Sequence, residues 1–294
     1  MSRLQVLLAA FCFGTTGTAQ ALGPDGIDPV VVGAARIACG GALLVVFAVA
    51  VKRVAGPRWA RWPVLAGAAG VAAYQASFFA AVSDTGVAVG TIVALGSAPA
   101  LTGALEWLVH GRRPPARWAA ATALASTGVA LLALAGGAQA GVSALGVGLA
   151  VLAGGSYAAY TLASKRLLDD GHAPEGVMAA LFGLGAVALA PVLLLGDSGW
   201  IATGGGLALV VFLGVVPTAL AYVLFARGLR GLHASEAATI TLAEPVTAAA
   251  LGVGVLSERV TGGGALGAAL VLGALVMLAL RPARPPLPTV AEPA

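Results

Sequence analysis

The sequence predicts an all-α integral membrane protein of ten transmembrane helices, arranged as two inverted five-helix repeats around a central cavity. Of its 294 residues, 59% are hydrophobic and 10% are charged, whereas soluble domains carry about 25% charged residues. Apolar runs long enough to cross a bilayer as helices recur throughout the chain, with short loops between them. The ten runs lie near 4–22, 30–51, 63–82, 87–109, 117–135, 142–164, 174–195, 205–226, 234–256 and 262–280.

The basic residues lie in alternate loops, which gives these runs an orientation. Of the 16 lysines and arginines, Arg36 lies inside the second run and Arg259 follows the ninth. All the others lie at the opposite set of loop ends: Arg3, Lys52, Arg53, Arg58, Arg61, Arg112, Arg113, Arg117, Lys165, Arg166, Arg227, Arg230, Arg281 and Arg284. Because lysine and arginine accumulate on the cytoplasmic side, we expect both termini to be cytoplasmic, which requires an even number of spans.

An internal repeat divides the runs into two groups of five. When residues 94–113 are aligned with residues 240–259, Pro99 matches Pro245 and Arg113 matches Arg259. The predicted repeats are residues 1–136 and 142–281, and residues 282–294 are expected to form a disordered cytoplasmic tail. An odd number of spans in each half means that the second half enters the membrane from the opposite side, as in many secondary transporters. Gly/Ala-rich segments also resemble one another by composition alone, but the shared proline and the charged ends favour a true repeat.

The stretch LAEPVTAAALGVGVLSERVT at residues 242–261 carries a family resemblance. With the ten spans and two halves, it resembles the EamA-type transporters of the drug/metabolite transporter superfamily over nearly the whole chain. The first half departs from that pattern, because Ser97-Ala98-Pro99 and His110-Gly111-Arg112-Arg113 replace the family's usual residues. The resemblance implies export of metabolites or drugs through a central cavity, in the bacterial cytoplasmic (inner) membrane.

Polar side chains within spans are costly unless they line a cavity or pair with another helix. They concentrate in the first, third, fourth, sixth, eighth and ninth runs, which are expected to surround the route. The fifth and tenth runs carry few polar residues and are expected to act as a scaffold. Aromatic walls with a few polar groups suit an amphipathic solute. The candidate substrate-binding residues are Thr15, Gln20, Tyr74, Gln75, Phe78, Ser97, Tyr157, Tyr160, Tyr222, Thr241 and Glu244.

Glu244 and Pro245 stand at the middle of the ninth run, where a carboxylate is expensive and proline removes a helix hydrogen bond. Glu244, Thr241 and Thr247 are three residues apart and share a helical face. Burial disfavours the ionised carboxylate, so Glu244 is a candidate for proton coupling or for binding an ammonium group. The alternative is a protonated glutamic acid that bridges two helices. Pro99 and Pro245 are expected to break the helix in both halves, which frees the carbonyl of residue 241.

Arg36 is the one basic residue inside a run, near its outer end. Arg36 is a candidate for a gate residue, which we expect to contact a carboxylate of the substrate. The alternatives are that it extends to the outer surface or pairs with Asp25, Asp28 or Asp84.

Two further glutamates lie toward the cytoplasmic ends of the fourth and ninth runs. Glu106 is expected to pair with Arg112 or Arg113, or else to face an inner vestibule. Glu236 is expected to cap the start of the ninth helix.

The sequence therefore predicts a secondary active transporter that exports small amino-acid-like or amphipathic metabolites by alternating access. Transport could be driven by proton coupling through Glu244 or could be facilitated diffusion, and the sequence leaves both alternatives open. The alternatives are a multidrug or organic-cation exporter, or a metabolite importer, of the same fold. The small-residue face of the tenth run fits either packing inside a monomer or the seam of a homodimer.

Other classes of function find no support in the motifs. The three histidines have unrelated spacings, and there is no phosphate-binding loop with lysine. We expect no enzymatic activity, no metal site, no cofactor and no nucleic-acid partner. The expected partners are a small-molecule substrate and membrane lipid.

Overall fold

The computed structural model describes residues 1–54, 58–85, 87–111, 113–135, 143–257 and 261–280, and these form α-helices without any β-strand. The first half contains α1 (Ser2–Ala21), α2 (Pro29–Ala50), α3 (Arg61–Thr85), α4 (Val87–His110) and α5 (Ala116–Ala135). The second half contains α6 (Ala144–Asp169), α7 (Pro174–Leu195), α8 (Gly204–Gly214), α9 (Ala221–Leu229), α10 (Ala234–Ile240), α11 (Ala243–Leu256) and α12 (Gly262–Ala279). The expected tail, residues 282–294, and Arg112, Arg259, Arg281 and Arg284 lie outside the described residues.

Eight helical stretches in the described part of the chain are long and apolar enough to cross a membrane. They are Pro29–Ala50, Arg61–Thr85, Val89–His110, Ala144–Asp169, Pro174–Leu195, Gly204–Leu229, Ala234–Leu256 and Gly262–Ala279. Helices α1 and α5 are not among these eight. The protein is therefore an all-helical, multi-pass membrane protein.

Two of the stretches in the second half are internally irregular. A π-helical turn, Val215–Leu220, joins α8 to α9, and it contains Pro217. A turn at Thr241 and Leu242 separates α10 from α11. Proline cannot donate the backbone hydrogen bond of a regular helix, so the π-helical turn has a local cause.

Side-chain caps begin several helices at one end of the bundle. The Asp28 carboxylate accepts a hydrogen bond from the Val30 N–H at 2.8 Å, with Pro29 as the first residue of α2. The Thr203 and Thr261 hydroxyls accept hydrogen bonds from Gly206 N–H and Gly264 N–H at 3.0 and 3.2 Å. These caps satisfy backbone donors that have no partner inside the helix.

The two halves pack against each other in matching ways. Helix α2 packs on α7, and α5 packs on α12. Helix α6 packs on α3 and α4, and α1 packs on the corresponding α9 and α11. The first helix of each half therefore contacts the third and fourth helices of the other half, which agrees with a repeated unit.

A glycine makes each of these cross-half contacts possible. A Cβ added to Gly14 of α1 would lie 2.5 Å from the Thr247 Cβ and 2.8 Å from the Glu244 carbonyl oxygen. A Cβ added to Gly154 of α6 would meet the Ser97 hydroxyl and lie 3.0 Å from the Ala94 carbonyl oxygen. Small residues at such positions let helix backbones approach closely.

Candidate functional site

A small cavity lies between the two halves, at the middle of the bundle. Its volume is about 40 Å³, which has room for a few water molecules and is too small for an amino acid. The residues that line it come from α1–α4, α6 and the α9–α11 region: Phe13, Thr16, Arg36, Tyr74, Leu95, Ala98, Tyr157, Tyr222, Ala238, Thr241, Leu242 and Glu244.

Aromatic rings form much of the cavity wall. The Phe13 and Tyr222 ring centroids are 4.9 Å apart, and those of Tyr74 and Tyr157 are 6.3 Å apart in an edge-on arrangement. Tyr160 lies behind this wall, with its centroid 5.0 Å from that of Tyr157, and its buried hydroxyl has no hydrogen-bond partner in the described part of the chain. Phe78 also lies behind the wall and stacks on Tyr74 at 5.6 Å. The wall presents large apolar ring surfaces, and its tyrosines add hydroxyl groups.

Arg36 faces the cavity from α2 and is held there by Gln75 of α3. The Arg36 Nη2 donates to Gln75 Oε1 at 3.1 Å, and Gln75 Nε2 donates to the Gly33 carbonyl at 3.1 Å. Gln75 is only 3% exposed and does not line the cavity, so it orients Arg36. The sequence left open that Arg36 pairs with Asp25, Asp28 or Asp84. Within the described residues Arg36 forms no ion pair with an aspartate, and Asp28 instead caps α2.

Glu244 lines the same cavity from the first turn of α11. Among the described residues, its carboxylate has neither an ion-pair partner nor a side-chain hydrogen-bond partner. Arg36 and Glu244 therefore bring a guanidinium group and a carboxyl group to one aromatic cavity without pairing with each other. Charged groups in the interior of a membrane protein are costly, and their presence here is typical of a binding site.

The interruption between α10 and α11 positions the neighbouring Thr241. The Thr241 hydroxyl donates to the Ala238 carbonyl at 2.8 Å and accepts from the Tyr157 hydroxyl at 3.0 Å. The Thr241 carbonyl accepts the Glu244 N–H at 2.9 Å, so the expectation that this carbonyl would be free was wrong. Thr247 shares the helical face but bonds to the Ala243 carbonyl at 3.1 Å and does not line the cavity.

The two prolines differ in their surroundings. Pro245 lies in the first turn of α11, just after the interruption. Pro99 lies inside the continuous helix α4, so the expected interruption at Pro99 is absent. A break shared by both halves was therefore a wrong expectation, and the irregular backbone belongs to the second half.

Several candidate residues lie away from the cavity. The Thr15 hydroxyl donates to the Cys12 carbonyl at 2.7 Å, and the Ser97 hydroxyl donates to the Ala94 carbonyl at 3.3 Å. Gln20 Nε2 is buried, with no partner in the ranges that the structure describes. The cavity thus contains Tyr74, Tyr157, Tyr222, Thr241, Glu244 and Arg36 from the predicted set.

The sequence interpretation missed Phe13, Thr16, Leu95, Ala98, Ala238 and Leu242, which also line the cavity. A signal for two of them was present. Leu95 and Ala98 occupy the same positions relative to Pro99 as Thr241 and Glu244 occupy relative to Pro245.

Glu106 joins the two halves at the arginine-rich end of the bundle. Its two carboxylate oxygens accept the Ala234 and Ser235 N–H groups at 3.3 and 3.1 Å, and so cap α10. His233 Nδ1 lies 3.4 Å from the same carboxylate. Glu106 was expected to pair with Arg112 or Arg113, or else to face an inner vestibule. Arg113 instead lies over the Trp107 ring at 5.1 Å, Arg112 lies outside the described residues, and Glu106 lines a cleft at this end of the bundle.

Ion pairs also connect helices at this end. Glu236, which was expected to cap α10, instead accepts from Arg3 Nε at 2.6 Å, while Arg227 donates to Glu175 at 2.6 Å. These contacts join α1 to α10 and α9 to α7.

Comparison with known proteins agrees with this architecture. The model of the EamA-like transporter family matches residues 2–134 and residues 144–280, one match for each half. The chain belongs to the EamA-like transporter family. The resemblance predicted from residues 242–261 is thereby confirmed, and the name points to a transporter rather than an enzyme.

One relative and one solved structure extend the EamA comparison. The chain is 41% identical to the "Uncharacterized transporter YwfM" of Bacillus subtilis (strain 168) over 280 residues, which cover 95% of this chain and 94% of that protein. A solved crystal structure matches with a TM-score of 0.81 at 23% identity, covering 95% of this chain and 98% of the other. At this identity the structural match speaks only for the fold.

Proposed function

We propose that this EamA protein is a secondary transporter that exports small amino-acid-like solutes across a bacterial cytoplasmic membrane by alternating access. The observation that carries the proposal is the pair of unpaired opposite charges, Arg36 and Glu244, in one cavity walled by tyrosines. A zwitterion with an apolar side chain complements both charges and the wall.

The proposed topology has ten spans. Helices α1 and α5 supply the two spans beyond the eight strongly apolar stretches, since each has 20 residues and crosses about 30 Å as a helix. The uneven distribution of arginine and lysine supports cytoplasmic termini. The two halves then lie in the membrane with opposite orientation.

The proposed recognition assigns a separate part of the solute to each charge. The Glu244 carboxylate binds the ammonium group, and the Arg36 guanidinium binds the carboxylate, with Gln75 holding Arg36 in place. The tyrosines and Phe13 contact the apolar body, and their faces also attract the ammonium group. Since the cavity of about 40 Å³ is smaller than such a solute, the surrounding helices must separate for it to enter.

Proton coupling is the proposed source of energy. Protonation of Glu244 removes the charge that binds the ammonium group, so a proton and the solute compete for the same carboxylate. Competition of this kind exchanges an inward-moving proton for an outward-moving solute. Facilitated diffusion would use the same cavity but would not respond to a pH gradient.

An organic-cation transporter is the second candidate, because a carboxylate and aromatic faces also suit a cation. Arg36 weighs against it, since a positive charge in the same cavity repels a cationic solute. A zwitterion therefore fits the charges better than a cation does.

Flux measurements with the purified protein in liposomes test the proposal. Amino acids and organic cations are screened with and without a pH gradient across the membrane. We expect flux of at least one apolar amino acid, and faster flux when the gradient is applied. Flux of cations alone would favour the second candidate, and no flux of any solute class would contradict the transport proposal.

A further inference from the structure

A second and much larger cleft opens at the arginine-rich end of the bundle. Its volume is about 920 Å³, and it is bounded by the ends of α1, α4, α5, α6, α9, α10 and α12. None of the residues that line it also lines the central cavity. The cleft is therefore separate from the proposed transport site.

The carboxylates of this cleft are already engaged. Glu106 accepts the backbone N–H groups at the start of α10, and Glu236 accepts from Arg3. Asp169 lies 2.8 Å from Lys165 Nζ. Each of the three carboxylates that line the cleft is thus already engaged by a contact within the protein.

Three arginines in the cleft lack a carboxylate partner among the described residues: Arg113, Arg117 and Arg230. Arg113 lies over the Trp107 ring, and Arg117 donates to the Met277 carbonyl. They come from the loop after α4, the start of α5 and the end of α9, so three separate parts of the fold bring positive charge to one cleft. Guanidinium groups are well suited to binding a phosphate group.

The walls of the cleft are apolar as well as basic. Leu278 and Leu280 near the end of α12 line it together with Trp118. On the adjacent last turn of α4, Leu108 and Val109 are 79% and 64% exposed, as expected for residues that face lipid. A ligand with a phosphate group attached to acyl chains would contact both kinds of surface.

We infer that this cleft binds the head group of an anionic phospholipid from the cytoplasmic leaflet. The inference goes beyond the proposed transport function but uses the topology proposed with it, which places this end at the cytoplasmic face. Basic pockets between helices on that face bind anionic head groups through phosphate contacts. Arg113, Arg117 and Arg230 contact the phosphate, and the α12 leucines contact the start of an acyl chain.

The test measures lipid binding to the purified full-length protein in a neutral detergent by native mass spectrometry. Phosphatidylglycerol is titrated against phosphatidylcholine with the same acyl chains, and glycerol 3-phosphate serves as the soluble anion. We expect tighter binding of phosphatidylglycerol than of the other two. The double variant Arg113→Gln/Arg230→Gln should raise the Kd for phosphatidylglycerol about 30-fold. This estimate assumes that each arginine contributes about 1 kcal/mol to binding of the anionic lipid.

The matched control is Arg58→Gln/Arg61→Gln, which removes the same net charge from exposed residues at and just before the start of α3 that do not line the cleft. It should change the Kd less than about twofold, because these arginines do not contact the bound lipid. Equal weakening by both double variants would show nonspecific attraction and would overturn the inference. Equal affinity for phosphatidylcholine or for glycerol 3-phosphate would also overturn it, the latter in favour of a soluble anion.

If the double variant does not fold, its two single variants keep the test decisive. Each should weaken phosphatidylglycerol binding about fivefold, and unchanged binding in both would contradict the inference. Because binding is measured without flux, a failure of this site is distinguishable from a failure of the proposed transport function.

Discussion

The two halves of the molecule place equivalent residues in the lining of one cavity, but the residues differ in chemistry. Leu95 and Ala98 of α4 correspond to Thr241 and Glu244 at the junction of α10 and α11, and all four line the cavity. Helix α4 is continuous, whereas the second half is interrupted at this level. At these positions the repeat supplies the shape of the cavity, and the departures from the repeat, Thr241 and Glu244, supply polar groups.

The largest expected effect comes from removing the carboxylate that distinguishes the second half. Glu244→Gln should lower amino-acid flux about 10- to 100-fold, since a hydrogen bond to a charged group contributes about 1.5–3 kcal/mol. It should also abolish the response to a pH gradient. Initial flux into liposomes measures both effects.

The control for that variant is Asp25→Asn, which makes the same chemical change at an exposed loop residue. Its flux should equal that of the wild type. Undiminished, pH-dependent flux in Glu244→Gln would show that the carboxylate found only in the second half has no role in transport.

The next effect tests what the halves share, namely the glycine contacts between them. Gly14→Ala and Gly154→Ala should each destabilise the protein by about 1–3 kcal/mol, because the added methyl groups overlap Thr247 and Ser97. Gly17→Ala and Gly155→Ala are controls on the same two helices, since an added Cβ there meets no atom within 4 Å. Thermal unfolding in detergent measures the four variants, and a drop in only one half would show that the halves pack differently.

A smaller effect tests the polar side of the cavity. Thr241→Val preserves the shape of the side chain but leaves the buried Tyr157 hydroxyl without its partner. This change should lower the free energy of unfolding by about 1 kcal/mol. Thr247→Val removes only a hydroxyl that bonds within its own helix and should change the unfolding temperature less. An equal change in both variants would mean that the contact with Tyr157 contributes nothing to stability.

The smallest effect concerns the contact of α4 with the start of α10. Glu106→Gln should lower the unfolding free energy by about 1 kcal/mol, because a charged acceptor for two backbone N–H groups becomes neutral. Asp170→Asn is the control, as its pair with Arg166 is largely exposed and contributes about 0.5 kcal/mol or less. Thermal unfolding compares the two variants, and a larger loss for Asp170→Asn would contradict the capping role.

Much of the fold was predictable because membrane spans depend on local composition. Apolar runs and alternating charge need no knowledge of packing, and the spacing of Pro99 and Pro245 indicated the repeat. Three of the four tyrosines, Tyr74, Tyr157 and Tyr222, line the cavity as expected, whereas Tyr160 lies behind its wall.

The contacts that depend on the register between helices were not predictable in the same way. Gln75 was expected to bind substrate, but the packing of α3 against α2 places it beside Arg36, to which it is hydrogen-bonded. Glu106 meets the start of α10 only because two distant segments pack together. The π-helical turn at Pro217 likewise depends on the local geometry of a helix that composition alone describes as continuous.

Recognition of a zwitterion by Arg36 and Glu244 is tested most directly with three related solutes. They are an amino acid from the flux screen, the corresponding amine without the carboxylate, and the corresponding carboxylic acid without the amine. Initial flux of the three solutes is compared in the wild type, Arg36→Gln and Glu244→Gln. We expect that Arg36→Gln loses the preference for the amino acid over the amine, and that Glu244→Gln loses the preference for the amino acid over the carboxylic acid. Equal reduction of all three solutes in both variants would contradict recognition of a zwitterion by these two residues.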